Sequence, residues 1–316
     1  MLFSDRTKGC IYGCVAAVSY GVNPICAKYL YQDGYNSNSV LFYRFLFGSL
    51  MLALLMCVQR KSFAITRREF GVLALLGVVF AVSSLTYFLS FHYMSAGVAA
   101  TLVFSYPVFT ALLMAIFYGE RLKWPTISAI VLTMVGIALL YKDDSGRPIA
   151  TAGIVLIGIS ALSYALYIII VNRSGIVMSS VKLTFYAMTF CLVCLTLYAL
   201  LTPTGSLQML HTPHQWTMAL VLGLVPTVIS LVFMAMAIQC IGSTPTAIMG
   251  ALEPVTSVVL GFIFFSEMLT ARIALGILLI LFSVTLIILD DRLRHALANV
   301  RVVKRGLIFV KKIRWR

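Results

Sequence analysis

Charge is what this chain of 316 residues is short of: 11% of its residues are charged, and only ten are acidic. A soluble domain carries about 25% charged residues, so a surface of this composition could not be kept in water. Also missing are a G-x-x-x-x-G-K-[ST] loop to cradle ATP phosphates and a helical His/Glu array to hold a metal. His211-x-x-His214 has no third ligand in evidence. No nucleophile–base pair stands out, so neither an enzyme nor a cofactor or metal is expected. Seven cysteines are scattered, six of them inside apolar runs, where a thiol behaves as a small apolar group. Cys191-x-x-Cys194 lies in such a run and lacks the exposed thiol that redox chemistry needs.

Apolar residues make up 61% of the chain and mean hydropathy is +1.01. Runs of a length that crosses ~30 Å of hydrocarbon recur throughout. A backbone in lipid must satisfy its own hydrogen bonds, so these runs read as helices. Ten are predicted, near 9–31, 38–58, 70–91, 96–117, 124–141, 151–171, 181–201, 215–237, 243–265 and 271–289. The first lacks an A-x-A cleavage site and reads as a retained helix rather than a signal peptide. The expected fold class is all-α: a polytopic membrane protein.

The chain is also written twice. Residues 95–144 align without a gap on 242–291 at an offset of 147, placing Pro107 on Pro254 and Glu120 on Glu267. Earlier segments match at slightly smaller offsets: Ser19-Tyr20 on Ser163-Tyr164, Phe42-Tyr43 on Phe185-Tyr186, Leu76-Gly77 on Leu222-Gly223. This divides the chain into repeats 1–146 and 147–291, each with five predicted spans, and a tail 292–316. An odd number of spans makes the second copy enter the membrane from the opposite side. Lys and Arg are enriched in cytoplasmic segments. With the N-terminus inside, nineteen fall on the cytoplasmic side and three outside. Both termini are therefore expected in the cytoplasm, and the localisation expected is a bacterial inner membrane. Ten transmembrane helices arranged as two inverted five-helix repeats build a site at mid-membrane and allow two mirror-like states, which suggests alternating access. The alternative is that duplication only makes a stable bundle.

The motifs are also familiar. A proline followed by an apolar run and an edge glutamate closes the fourth and ninth spans, as YPVFTALLMAIFYGE (106–120) and EPVTSVVLGFIFFSE (253–267); SYGVNPICAKYL (19–30) lies in the first span and FYRF (42–45) in the second. Together these resemble the EamA family of the drug/metabolite transporter superfamily, over about residues 9–290. The resemblance implies a ten-helix pseudosymmetric carrier, often an exporter of amino acids or related metabolites, and names no cargo.

Charged groups inside a span are costly and usually face a cavity. Positions where the copies differ are informative, because they break the symmetry. Glu253 lies roughly 15 Å into the ninth span and aligns with Tyr106. It is a candidate for carrying a proton or pairing with a substrate amine; otherwise it bonds backbone freed around Pro254. Arg44 aligns with Ala187 and either takes a carboxylate in its fork, pairs with Glu253, or snorkels to the interface. Lys28 is nearer the surface, which favours snorkelling. Asn23-Pro24 interrupts the first span, and Pro107 and Pro254 interrupt the fourth and ninth. Such paired kinks point to a transporter's binding site. Tyr20, Tyr106 and Tyr164 sit inside spans, where rings with polar tips suit either a mixed-polarity cavity or packing. Glu120 and Glu267 read as structural. The expected substrate-binding set is Tyr20, Asn23, Arg44, Tyr106, Tyr164 and Glu253, with Pro24, Pro107 and Pro254 as hinges.

The tail carries nine basic and no acidic residues, so it reads as an amphipathic segment on anionic inner-leaflet lipid rather than a nucleic-acid arm. The function expected is a secondary carrier of a small organic metabolite, working outward, with proton coupling as a candidate. A passive facilitator, or a membrane enzyme or lipid-handling protein, are the alternatives.

Overall fold

With no water to complete them, backbone groups in hydrocarbon are satisfied within one helix, and the described chain contains helices and no strand. The computed structural model describes residues 5–90, 93, 99, 102–120, 123–140, 151–202, 206–265, 271–272, 274–283 and 285–286. Arg121, Glu267, Asp143-Asp144, Asp290-Asp291 and the tail 292–316 lie outside the described residues.

The helices are α1 (Asp5–Tyr20), α2 (Asn23–Gln32), α3 (Ser37–Val58), α4 (Arg67–Ser90), α5 (Tyr106–Tyr118), α6 (Trp124–Leu140) and α7 (Thr151–Arg173). There follow α8 (Ser180–Leu201), α9 (Pro213–Gly223), a π-helical turn π1 (Leu224–Ile229), α10 (Ser230–Ile241), α11 (Ser243–Met249), α12 (Leu252–Phe265) and α13 (Ala274–Ser283). Among the described residues, six stretches are long and apolar enough to cross a membrane: Asp5–Gln32, Ser37–Val58, Arg67–Ser90, Thr151–Arg173, Ser180–Leu201 and Pro213–Ile241. Leu54, Val58, Ile116 and Leu200 stand exposed on the outside, where lipid is the fitting solvent.

The predicted kinks fall where proline withdraws a donor. α1 stops at Tyr20, and Val22 accepts the Ile25 N–H at 3.1 Å in a tight turn before Pro24. Ser105 accepts from Val108 at 3.0 Å just before Pro107. Gly250-Ala251 separates α11 from α12 two residues before Glu253-Pro254, and Gly250 accepts the Glu253 N–H at 2.9 Å. Pro226 sits inside π1.

Packing joins the two copies throughout. α4 lies against α7 and α8, α1 against α10, and α3 against α8, α9 and π1. The contacts recur with halves exchanged. Ser83 Oγ donates to the Ser160 carbonyl at 3.0 Å, and Ser230 Oγ donates to the Ala16 carbonyl at 2.8 Å; 83 and 16 are the repeat positions of 230 and 160. Gly77 packs against Phe190-Cys191, while its counterpart Gly223 packs against Phe47-Gly48, and in both places a Cβ would collide. Tyr186 donates to the Phe63 carbonyl, and Tyr43 donates to the Gln208 carbonyl at 2.9 Å. Thr133 and Ser283 hydroxyls share a hydrogen bond of 2.7 Å, and one turn away Gly136 meets Ile280. Since 133 corresponds to 280 and 136 to 283, α6 and α13 pack with equivalent residues swapped and chain directions opposed. Small and hydroxyl residues at these crossings let helices approach closely in lipid. Gly9 and Gly13 serve the same end inside the chain, against Ile241 and Met249.

The α6–α13 crossing is directly testable. In a cysteine-free background, Thr133→Cys with Ser283→Cys should cross-link on mild oxidation, whereas Thr133→Cys with Leu278→Cys, whose native side chain is exposed, should not. Electrophoretic mobility after cleavage at a protease site engineered between the two repeats reads the result.

Candidate functional site

Three helix breaks meet at one level. Ser257 Oγ of α12 donates to the Gly21 carbonyl at 3.0 Å, and a Cβ on Gly21 would strike Thr256 and the Glu253 carbonyl. The bend between α1 and α2 is thereby seated against the first turn of α12, with Tyr20 and Glu253 on the two sides. The third break, before α5, brings Tyr106 against the Gly250-Ala251 turn, its hydroxyl lying where a Gly250 side chain would stand. Only glycine leaves room for that ring.

Arg44 reaches this level from α3, with 3% of its surface exposed. Its Nε donates to Thr227 Oγ1 at 3.0 Å, and its guanidinium carbon lies 5.0 Å from the Tyr20 ring centre and 5.2 Å from that of Phe45. The face of an aromatic ring attracts a cation, so the charge is held by rings and a hydroxyl, with no ion pair among the described residues. One terminal nitrogen, Nη2, is buried without a hydrogen-bond partner. Glu253 is 8% exposed, and its carboxylate makes no ion pair or hydrogen bond among the described residues. Arg44 and Glu253 act on one another electrostatically without touching. The sequence left pairing with Glu253 and snorkelling open for Arg44; the structure has neither.

Aromatic rings close the site. The Tyr106 and Tyr164 rings meet edge to face at 4.7 Å, and Tyr164 donates to Met234 Sδ at 3.3 Å. Phe80 and Tyr167 back Tyr164. Of the six residues expected to bind substrate, five (Tyr20, Arg44, Tyr106, Tyr164 and Glu253) converge here. Asn23 opens α2 partly buried and makes no side-chain hydrogen bond among the described residues. Pro24 and Pro107 each occupy the first turn of a helix, and Pro254 follows Glu253 in α12. Lys28 is exposed. Sequence reasoning missed Thr227, Gly250 and Met234; the first stands beside Pro226, which falls on Phe80 of the first copy at the local offset of 146 and was the available signal.

A cavity of about 270 Å³ opens at one end of the bundle, lined by Arg6, Met114, Glu120, Asn172, Arg173 and Ser243 among others. It does not enclose the Arg44–Glu253 level. Met114 and Asn172 each lie eight residues along α5 and α7 from Tyr106 and Tyr164, or about 12 Å at 1.5 Å per residue. The same two helices thus line the cavity and the aromatic cluster. Glu120, read from sequence as structural, borders this cavity with two arginines.

The model of the EamA-like transporter family matches residues 7–142 and again 151–289. The chain is 30% identical over 257 residues to an S-adenosylmethionine uptake transporter of Rickettsia conorii, covering 80% of this chain and 83% of that protein. It is 27% identical over 299 residues to the uncharacterized inner membrane transporter YicL of Salmonella typhimurium, covering 91% and 97%. A solved crystal structure superposes with a TM-score of 0.77 at 16% identity, over 91% of this chain and 99% of the other; that likeness concerns the fold alone.

Gly250→Ala should force the Tyr106 hydroxyl aside and cost about 1–3 kcal/mol, as overpacking does. Adding Tyr106→Phe removes the colliding oxygen and should recover at least half of the loss in detergent melting temperature. Simple addition of the two effects would contradict the contact.

Proposed function

Because the chain belongs to the EamA-like transporter family and is a multi-pass integral membrane protein, we propose that it is a secondary active carrier of a small zwitterionic metabolite. The observation that carries this reading is the separation of Arg44 from Glu253. A guanidinium with a bare N–H and a carboxyl group with no partner among the described residues, both buried and held apart, are each costly. A solute with a carboxylate at one end and an ammonium at the other relieves both, the fork taking the carboxylate and Glu253 the amine. Tyr20, Tyr106 and Tyr164 then supply apolar walls with polar tips.

In this reading residues 1–146 and 147–291 are inverted repeats of five helices each, with both termini in the cytoplasm of a bacterial inner membrane. The exchanged contacts support it, since a two-fold axis returns every contact with its halves swapped. The opposed directions of α6 and α13 support an axis perpendicular to the helices. Rocking of one half on the other about the central site exposes it to each face in turn, and the cavity beside Glu120 and Arg173 is one approach. The basic tail lies on anionic lipid.

A carrier of this geometry runs either way along the net gradient, so direction follows from coupling. The outward flux suggested by sequence has no support among the named relatives, one of which is an uptake transporter. Glu253 is the group in the site that can exchange a proton for an amine, which makes proton coupling the favoured drive and passive facilitation the second reading.

Purified protein in liposomes decides between them. S-adenosylmethionine and the proteinogenic amino acids are tested by counterflow, and at least one zwitterion should exchange. Arg44→Gln should raise its KM about tenfold or more, a lost charged hydrogen bond being worth ~1.5–3 kcal/mol. Glu253→Gln should abolish uptake driven by a pH gradient while exchange survives. Exchange of no zwitterion would overturn the proposal, and wild-type exchange without gradient drive would leave the facilitator.

A further inference from the structure

Span eight is one residue longer than its counterpart, and the extra residue falls in π1. Ser83 and Ser230 make equivalent hydrogen bonds across the bundle, and Gly77 and Gly223 make equivalent close packings. Yet six positions separate 77 from 83 and seven separate 223 from 230. In the first copy the interval is part of the continuous helix α4; in the second it is Leu224–Ile229, a π-helical turn. A single inserted residue is what a π-bulge accommodates inside an α-helix, and such bulges gather at functional sites.

The insertion has a local chemical result. Pro226 has no N–H to give the Leu222 carbonyl four residues back. The Thr227 hydroxyl donates to that carbonyl instead, at 3.0 Å, and its oxygen accepts from Arg44 Nε at 3.0 Å. Thr227 is fully buried. In the first copy, counting on from Gly77, the corresponding position is Ala81, and the counterpart of Arg44 is Ala187; both are buried alanines. The symmetric scaffold thus carries the polar pair in one half only.

We propose that Thr227, presented by the inserted π turn, is a positioning residue that fixes Arg44 for the anionic group of the solute. A carboxylate in its place would neutralise the guanidinium. A hydroxyl already committed as donor to Leu222 orients Nε and leaves the full charge, with Nη2 still bare, for a ligand. The Tyr20 ring, 5.0 Å from the guanidinium carbon, steadies the charge without cancelling it. This inference rests on the carrier reading above and assigns the anion-selecting half of its site.

The test compares S-adenosylmethionine with decarboxylated S-adenosylmethionine in proteoliposome exchange. Thr227→Val should raise KM for S-adenosylmethionine on the order of tenfold, with kcat within about threefold of wild type. KM for the decarboxylated compound should stay unchanged, and Thr227→Ser, which keeps the hydroxyl, should restore wild-type behaviour. Thr227→Cys, a weak acceptor of similar size, gives an intermediate KM and serves if the valine variant does not fold. Wild-type kinetics in both Val and Cys variants, or an equal rise in KM for both compounds, would overturn the role of Thr227 alone. If the wild-type protein exchanges neither compound but does exchange an amino acid, the same comparison is made between that amino acid and its decarboxylated amine, with the same outcomes deciding; exchange of no zwitterion at all overturns the carrier reading itself.

Discussion

A cation buried among helices in lipid must be compensated, and the manner of compensation here shapes everything around it. Arg44 is held by one hydroxyl and the faces of Tyr20 and Phe45 rather than by an anion, with Nη2 unpartnered. Glu253 could have neutralised it and does not touch it. A buried guanidinium and a buried carboxyl group kept apart inside a protein are, in the proposed reading, what a solute with an acid at one end and an amine at the other would satisfy. The cost of keeping the guanidinium there, several kcal/mol for an uncompensated buried ion, has to be offset by packing elsewhere.

The crossings supply that packing. Glycine and serine at 77, 83, 136, 223 and 230 bring backbones close enough for dispersion and short hydroxyl bonds to act. Each such bond contributes modestly in a membrane, about 0.6 kcal/mol on average. Their recurrence with halves exchanged explains why a bundle with so many helix breaks holds together. In the proposed reading it also accommodates a solute path in a symmetric scaffold: shared positions carry the crossings, and unshared positions (Arg44 against Ala187, Glu253 against Tyr106, Thr227 against Ala81) would carry the chemistry.

Much of this was legible in the residues. The duplicated Pro107 and Pro254 located two breaks that bring Tyr106 and Glu253 together, because a missing donor acts locally and needs no knowledge of partners. The polarity differences between copies singled out Arg44 and Glu253 for the same reason: a charge in lipid is conspicuous wherever it points. What the sequence could not reveal was orientation around each helix axis. Tyr20, Arg44 and Asn23 all lay at suitable depth, and only the bend seated on Ser257 determines that the first two converge while Asn23 stands aside. Thr227 went unnoticed because threonine is unremarkable in a span. Its importance comes from the one-residue step in register between 77 and 83, visible only once equivalent contacts fix both ends of the interval.

Alternating access in this chain requires the two halves to face opposite sides of the membrane. Asp33, just before α3, and Val177, just before α8, are exposed and occupy corresponding loops of the two copies. In a cysteine-free chain, Asp33→Cys should react with a membrane-impermeant maleimide added outside intact cells, and Val177→Cys only in inside-out vesicles. Labelling of both from one face would contradict the inversion and the alternating site built on it.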